Sequence, residues 1–207
     1  MFEGQNKQAT PETAATGRSD HISPPNEIRT LHVKFDNWKW RKASIFDSDQ
    51  QIELYRLECH TPKPQIIMLP PSSTSSQQPT PAPIGEASFH SLTSRIDTTL
   101  HNRNHTIALT SRGALKDGFT YDSPAHNWAK LTWQSQTKWD YFKMVLLDET
   151  AMPVARIAHS SWSMTKAATI ELLREKAGHE CDGELMDEIV LTGLAVLTKR
   201  LINYSAA

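Results

Sequence analysis

Near its C-terminal end the chain reads Ile189-Val190-Leu191-Thr192-Gly193-Leu194-Ala195-Val196-Leu197. No other segment constrains the fold as strongly. Its flanks mark a helix running from about Gly183 to Asn203. Asp182 is a suitable N-cap, and Glu184, Asp187 and Glu188 place negative charge on the first turns. Lys199 and Arg200 place cations near the far end, where the helix dipole favours them. A surface helix carries an apolar stripe and a polar face. This one has no polar face for about two and a half turns. Such a helix is buried on all sides or lies in a membrane, and the run is only about half the length that a span requires.

The rest of the chain supplies what surrounds it. Thr30 to Phe35 alternates, with Leu31, Val33 and Phe35 on one face. Ala43 to Asp47, Ile52 to Cys59, Gln65 to Leu69 and Ala87 to Leu92 read as further strands. Ile96–Leu100 and Thr106–Thr110 flank an Asn-rich hairpin turn, His101-Asn102-Arg103-Asn104-His105. Phe119 to Pro124, Ala129 to Trp133, Tyr141 to Leu147 and Met152 to His159 complete a series of ten or more short strands. That spacing belongs to a sandwich or a barrel. A closed β-barrel with the helix threaded through it satisfies both patterns. Burying about seven large apolar side chains contributes on the order of 10–20 kcal/mol gross. The alternatives are a helix held between a sheet and a loop, or one buried in a dimer. Gly193 and Ala195 would let strands approach the helix closely. Lys166 to Lys176 is in conflict: Ala167, Ala168, Leu172 and Leu173 favour a helix slightly, whereas Thr169-Ile170-Glu171-Leu172 suits a strand.

Many short strands followed by a helix carrying Asp187-Glu188-Ile189-Val190-Leu191-Thr192-Gly193-Leu194-Ala195 resemble the tubby C-terminal-like superfamily, which includes the LURP-one-related proteins and the phospholipid scramblases. Phe119-Thr120-Tyr121-Asp122-Ser123-Pro124 and Lys130-Leu131-Thr132-Trp133 are similar to strands of fungal members. The resemblance covers about Leu31 to Tyr204. It implies a mainly β fold, a closed barrel of roughly twelve strands around a buried hydrophobic C-terminal helix, with Lys166 to Arg174 as a strand. It also implies a non-enzymatic module that binds lipid or protein. Tubby proteins hold phosphoinositide headgroups through clustered basic residues on the barrel, but those positions have no one-to-one match here.

Two tracts stand apart. Residues 1–28 are polar and nearly free of bulky apolar side chains, so they are expected to be a disordered tail. The Ser/Pro/Gln-rich stretch at 70–84 is expected to be an insertion in a single domain spanning 29–204.

Chemical motifs are sparse. The chain has no phosphate-binding glycine loop, nucleophile elbow or zincin motif. His101 and His105 read as exposed hairpin residues, and Cys59-His60 as a small buried cysteine beside a strand-end histidine. Neither forms a metal site, and no cofactor is expected. Tyr121, Asp122 and His126 form at most a local acid/base group in what reads as an ordinary turn. The acids opening the helix are explained by its dipole. The candidate ligand-binding residues are Trp38, Trp40, Arg41 and Lys42, where aromatics interleave with cations as at a membrane interface. The same pattern also suits a strand with its tryptophans packed on the barrel.

The 22 basic and 23 acidic residues leave a net charge of −1. A nucleic-acid binder is usually clearly basic, so none is expected as partner. The expected partners are membrane phosphoinositides or a protein. Two cysteines are too few for a disulfide framework, and the N-terminus lacks a secretory h-region. The expected location is cytoplasmic or nuclear, or at a membrane periphery. The runner-up functions are a small-molecule enzyme or carrier using the barrel mouth, and an adaptor.

Overall fold

The structure, a computed structural model, describes residues 28–36, 41–72, 81–90, 93–113, 117–137, 140–159, 166–173 and 183–205. The tail before residue 28 and residues 73–80 of the Ser/Pro/Gln-rich tract lie outside these, as do Asp182 and Arg174 to Lys176. The strands are β1 (Arg29–Phe35), β2 (Lys42–Phe46), β3 (Glu53–Cys59), β4 (Ile66–Leu69), β5 (Gly85–Phe89) and β6 (Ile96–Leu100). They continue as β7 (His105–Ser111), β8 (Phe119–Ser123), β9 (Ala129–Thr137), β10 (Asp140–Leu147), β11 (Pro153–His159) and β12 (Lys166–Leu172). Helix α1 (Gly183–Ser205) follows. Each strand pairs antiparallel with the next, and β12 pairs with β1, closing the barrel.

Period-two patterning decides which side chains enter the barrel. Leu31 and Val33 of β1, Tyr55 and Leu57 of β3, and Leu131 and Trp133 of β9 point inward and are buried. In β3 the inward face is therefore that of Tyr55 and Leu57, and Ile52, at the preceding turn, is exposed. α1 lies inside this wall, with Ile189 to Leu191, Thr192 and Leu194 to Leu197 all buried. A helix with no polar face is stable here because the closed sheet offers it no water on any side.

β12 settles the conflict over residues 166–172 in favour of a strand. Ile170 pairs with Leu31 of β1 on one side and Ile157 of β11 on the other. Ala168, Ile170 and Leu172 are buried by alternation. Without this strand, β1 and β11 would each present an open edge with unpaired N–H and C=O groups. Satisfying both edges outweighs a slight local preference for helix.

Gly193 is small for a reason other than close strand approach. A Cβ there would lie 2.9 Å from Cζ2 of Trp133, so the missing side chain makes room for an indole. A Cβ on Gly85 would meet the Thr99 carbonyl at 2.7 Å and Leu191 Cδ2 at 2.8 Å, and here the strand does come close to the helix.

Up-and-down topology sorts the connections into two sets. The β2–β3, β4–β5, β6–β7, β8–β9 and β10–β11 links lie at the end where α1 enters. The β1–β2, β3–β4, β5–β6, β7–β8, β9–β10 and β11–β12 links lie at the end where its C-terminus emerges.

Candidate functional site

Polar side chains fasten the helix at both ends. At the entry end the Tyr55 hydroxyl donates to Asp187 Oδ1 (2.7 Å), and Asn102 Nδ2 donates to Asp187 Oδ2 (3.2 Å). Arg103 forms an ion pair with Glu184. Glu188 is fully buried and accepts the Ala125 backbone N–H (3.2 Å). Burial pushes the carboxyls of Asp187 and Glu188 up, although their hydrogen bonds act in the opposite direction. The Tyr121 phenol, facing Glu188, is held well above its usual range, first by burial and then by that carboxylate. One turn further on, Trp133 Nε1 donates to Thr192 Oγ1 (3.1 Å), whose hydroxyl also reaches the Glu188 carbonyl (2.8 Å). The helix acids thus do more than complement the dipole: Asp187 and Glu188 tie the helix to the wall. Tyr121 and Glu188 are both sealed from solvent.

At the exit end Arg200 is almost fully buried. It donates to Asp117 Oδ1 (2.6 Å) and Ser135 Oγ (2.7 Å). Lys199 Nζ donates to the His90 carbonyl (3.3 Å). Tyr204 and Ile202 are exposed there, with the Tyr204 ring edge-on to Phe142.

The two ends differ sharply in charge. Among the described residues, the entry end carries Asp47, Asp49, Glu53, Glu86, Asp122, Asp148, Glu149, Glu171, Glu184, Asp187 and Glu188 against Arg29, Arg56, Arg103, Lys130 and Arg156. The exit end carries Lys34, Arg41, Lys42, Lys63, Arg95, Arg112, Lys143, Lys199 and Arg200 against Asp36, Glu58, Asp97, Asp117 and Asp140. A chain of nearly zero net charge is folded into a barrel with an acidic end and a basic one. Strand connectivity produces this separation, because alternate connections fall at opposite ends.

Of the candidate residues, Arg41 and Lys42 are exposed at the basic end, with Lys42 3.6 Å from Glu58. Trp38 and Trp40 lie outside the described residues. Two further tryptophans differ in placement. Trp133 is core, whereas Trp128 is exposed at the acidic end with its ring 5.9 Å from that of His105. His101 instead approaches Glu86 (3.6 Å), so the two hairpin histidines engage different partners. Tyr121 points inward while Asp122 points outward to Lys130 (2.8 Å), so no acid/base group assembles around them. Burial pushes the Cys59 thiol up to about 11, and His60 sits 3.5 Å from Glu58. Among the described residues no cluster of three His, Cys, Asp or Glu side chains is placed to hold a metal, and no helix is long and apolar enough to cross a membrane.

No protein-family model and no curated protein matches the chain. A solved structure of a protein from Arabidopsis thaliana is similar, with a TM-score of 0.50 over 84% of this chain and 91% of that chain, at 8% identity. At so low an identity the two chains share their fold.

Proposed function

We propose that this barrel is a peripheral binding module that docks its basic end on an anionic lipid surface inside the cell. The observation that carries this reading is the end-to-end separation of charge. A basic residue close to an anionic leaflet contributes about 1 kcal/mol, and the acidic end would orient the barrel by repulsion. Exposed Tyr204 and Ile202 at the basic end suit an interfacial position, where an apolar body meets a wet headgroup region. We also infer membership of the tubby C-terminal-like superfamily. Twelve strands closed around a buried C-terminal helix support it, as do the motifs quoted above.

Flotation with phosphatidylcholine vesicles, with and without phosphatidylserine or phosphoinositide, tests the reading. Binding should require anionic lipid and fall as salt rises, since charges separated by more than about 10 Å are screened at 0.1 M. The Arg41→Glu, Lys42→Glu double variant should weaken it by about tenfold or more. Absence of binding at low salt, or binding indifferent to lipid charge, would refute it.

A further inference from the structure

We propose that the acidic end of the barrel takes the basic end of a second copy of this chain, so that barrels stack head to tail. Among the described residues, every exposed large apolar side chain lies at one end or the other, and none on the wall between. Ile28, Ile52, Trp128 and Met152 stand at the acidic end, and Ile202 and Tyr204 at the basic one. The first four occupy consecutive positions around the rim: Trp128 in the β8–β9 link, Met152 in the β10–β11 link, Ile28 before β1 and Ile52 in the β2–β3 link. Trp128 is 62% exposed, and its backbone sits at φ +60°, a conformation that bulky side chains rarely adopt. The fold thus holds a strained residue in place while presenting its indole to solvent.

Charge selects the face that covers this apolar arc. The cations within it are engaged: Arg29 with Asp47 (2.6 Å), Lys130 with Asp122 (2.8 Å) and Arg156 with Glu171 (3.8 Å). Asp49, Asp148 and Glu149 come in addition to these pairs and leave the arc negative. At the other end, exposed Arg41, Lys42 and Lys63 lie on the links flanking β2 and β3, the two strands that Asp49 joins at the acidic end. Tyr204 packs against Phe142 of β10, whose far end leads into the link bearing Met152. Cations and carboxylates therefore share one sector of the barrel, and the two apolar groups share another. Translating one copy along the axis, with a rotation set by strand tilt, brings each group to its complement. Twelve strands about 4.8 Å apart and tilted about 40° make a ring roughly 24 Å across, so each end offers about 700 Å² with its side chains. That approaches the ~800 Å² per partner of a stable interface. The two faces are different surfaces, so the contact is heterologous and leaves a free end on each copy for the next.

Stacking occupies the basic end and so competes with lipid docking there, but it rests on the exposed side chains and charges of the two ends and not on that reading. Sedimentation of the full chain over a concentration series reads it. At low salt the weight-average mass should rise past twice that of a monomer. Salt at about 0.5 M should return it to a monomer, because charges are then screened within a few ångströms. A Trp128→Gly, Asp49→Asn, Glu149→Gln variant lacks a working acidic end, and Arg41→Glu, Lys42→Glu lacks a working basic end. Each alone should stay monomeric where the wild type associates. Mixed in equal amounts they should form a dimer and nothing larger, since one productive contact remains. Trp128→Gly alone should halve the association or more without lowering the thermal melt, because glycine accepts the positive φ. The acidic-end variant should still float with anionic vesicles, whereas the basic-end variant loses both properties, so failure of stacking and failure of lipid docking are read separately. A wild type monomeric at every concentration, as when residues 1–27 cover the arc themselves, would overturn the proposal. So would association indifferent to salt, or a basic-end variant that still dimerises, which denotes a two-fold dimer through another surface.

Discussion

The contact between Gly193 and Trp133 offers a test of the threaded helix. A methyl group at Gly193 would lie 2.9 Å from Cζ2 and 3.2 Å from Cη2 of the indole, so Gly193→Ala forces the helix or the ring to shift. Overpacking of this kind costs about 1–3 kcal/mol, offset by about 1 kcal/mol of gained helix propensity. The net result is a loss of about 0–2 kcal/mol. Trp133→Phe removes the indole's outer ring and its hydrogen bond to Thr192, at a cost of about 2–3 kcal/mol. Thr192 itself stays satisfied through the Glu188 carbonyl. In the double variant the new methyl enters space that the indole has left. Gly193→Ala should then become stabilising by about 1 kcal/mol, a reversal of sign and a coupling of about 1–3 kcal/mol. Urea denaturation of the four proteins, followed by circular dichroism, measures the cycle. Strict additivity, with Gly193→Ala having the same effect in both backgrounds, would refute the packing of helix on indole.

Three further outcomes follow from the buried polar groups. Because burial raises the Glu188 carboxyl, the folded state takes up its proton more readily than the unfolded chain. Ionised Glu188 therefore lowers stability as pH rises above the unfolded value of 4.5. Glu188→Gln should accordingly match the wild type near pH 4 and melt at a higher temperature at pH 7; a difference independent of pH would contradict this assignment. At the other end, Asp117→Asn leaves the buried Arg200 cation without its carboxylate, whereas Arg200→Met removes the charge altogether. The first should cost at least about 1 kcal/mol more than the second in chemical denaturation, and the reverse order would sink the account. Cys59, with its thiol at about 11, should alkylate slowly with iodoacetamide at neutral pH in a Cys181→Ala background. Unfolding in urea should accelerate the reaction, and a fast reaction in the folded protein would show that the thiol is accessible and ionisable.

The anchors of the helix were only partly visible beforehand. Asp187 and Glu188 stand where a dipole explanation is sufficient in sequence, and nothing local reveals Tyr55, Asn102 or the Ala125 N–H as their partners. Tyr55 lies 132 residues from Asp187, a separation that no short-range pattern reports. β12 was legible only through the family resemblance, which implied a strand. Its local signal favoured helix, and only the two open edges beside it, created by β1 and β11, decide for a strand. Arg41 and Lys42 were legible as a candidate pair, because a Trp/basic cluster is a local pattern.

What the sequence alone determined is the enclosure of the helix. A segment apolar on every face must be surrounded, and alternating strands at short spacing are the means to surround it; both are statements about periodicity, which is local. The tertiary structure alone decided the direction of charge. A net charge of −1 is an average over the chain, and the field at a surface depends on where charges lie, not on their sum. An antiparallel barrel sends alternate connections to opposite ends, and in this chain one set is rich in carboxylates and the other in cations.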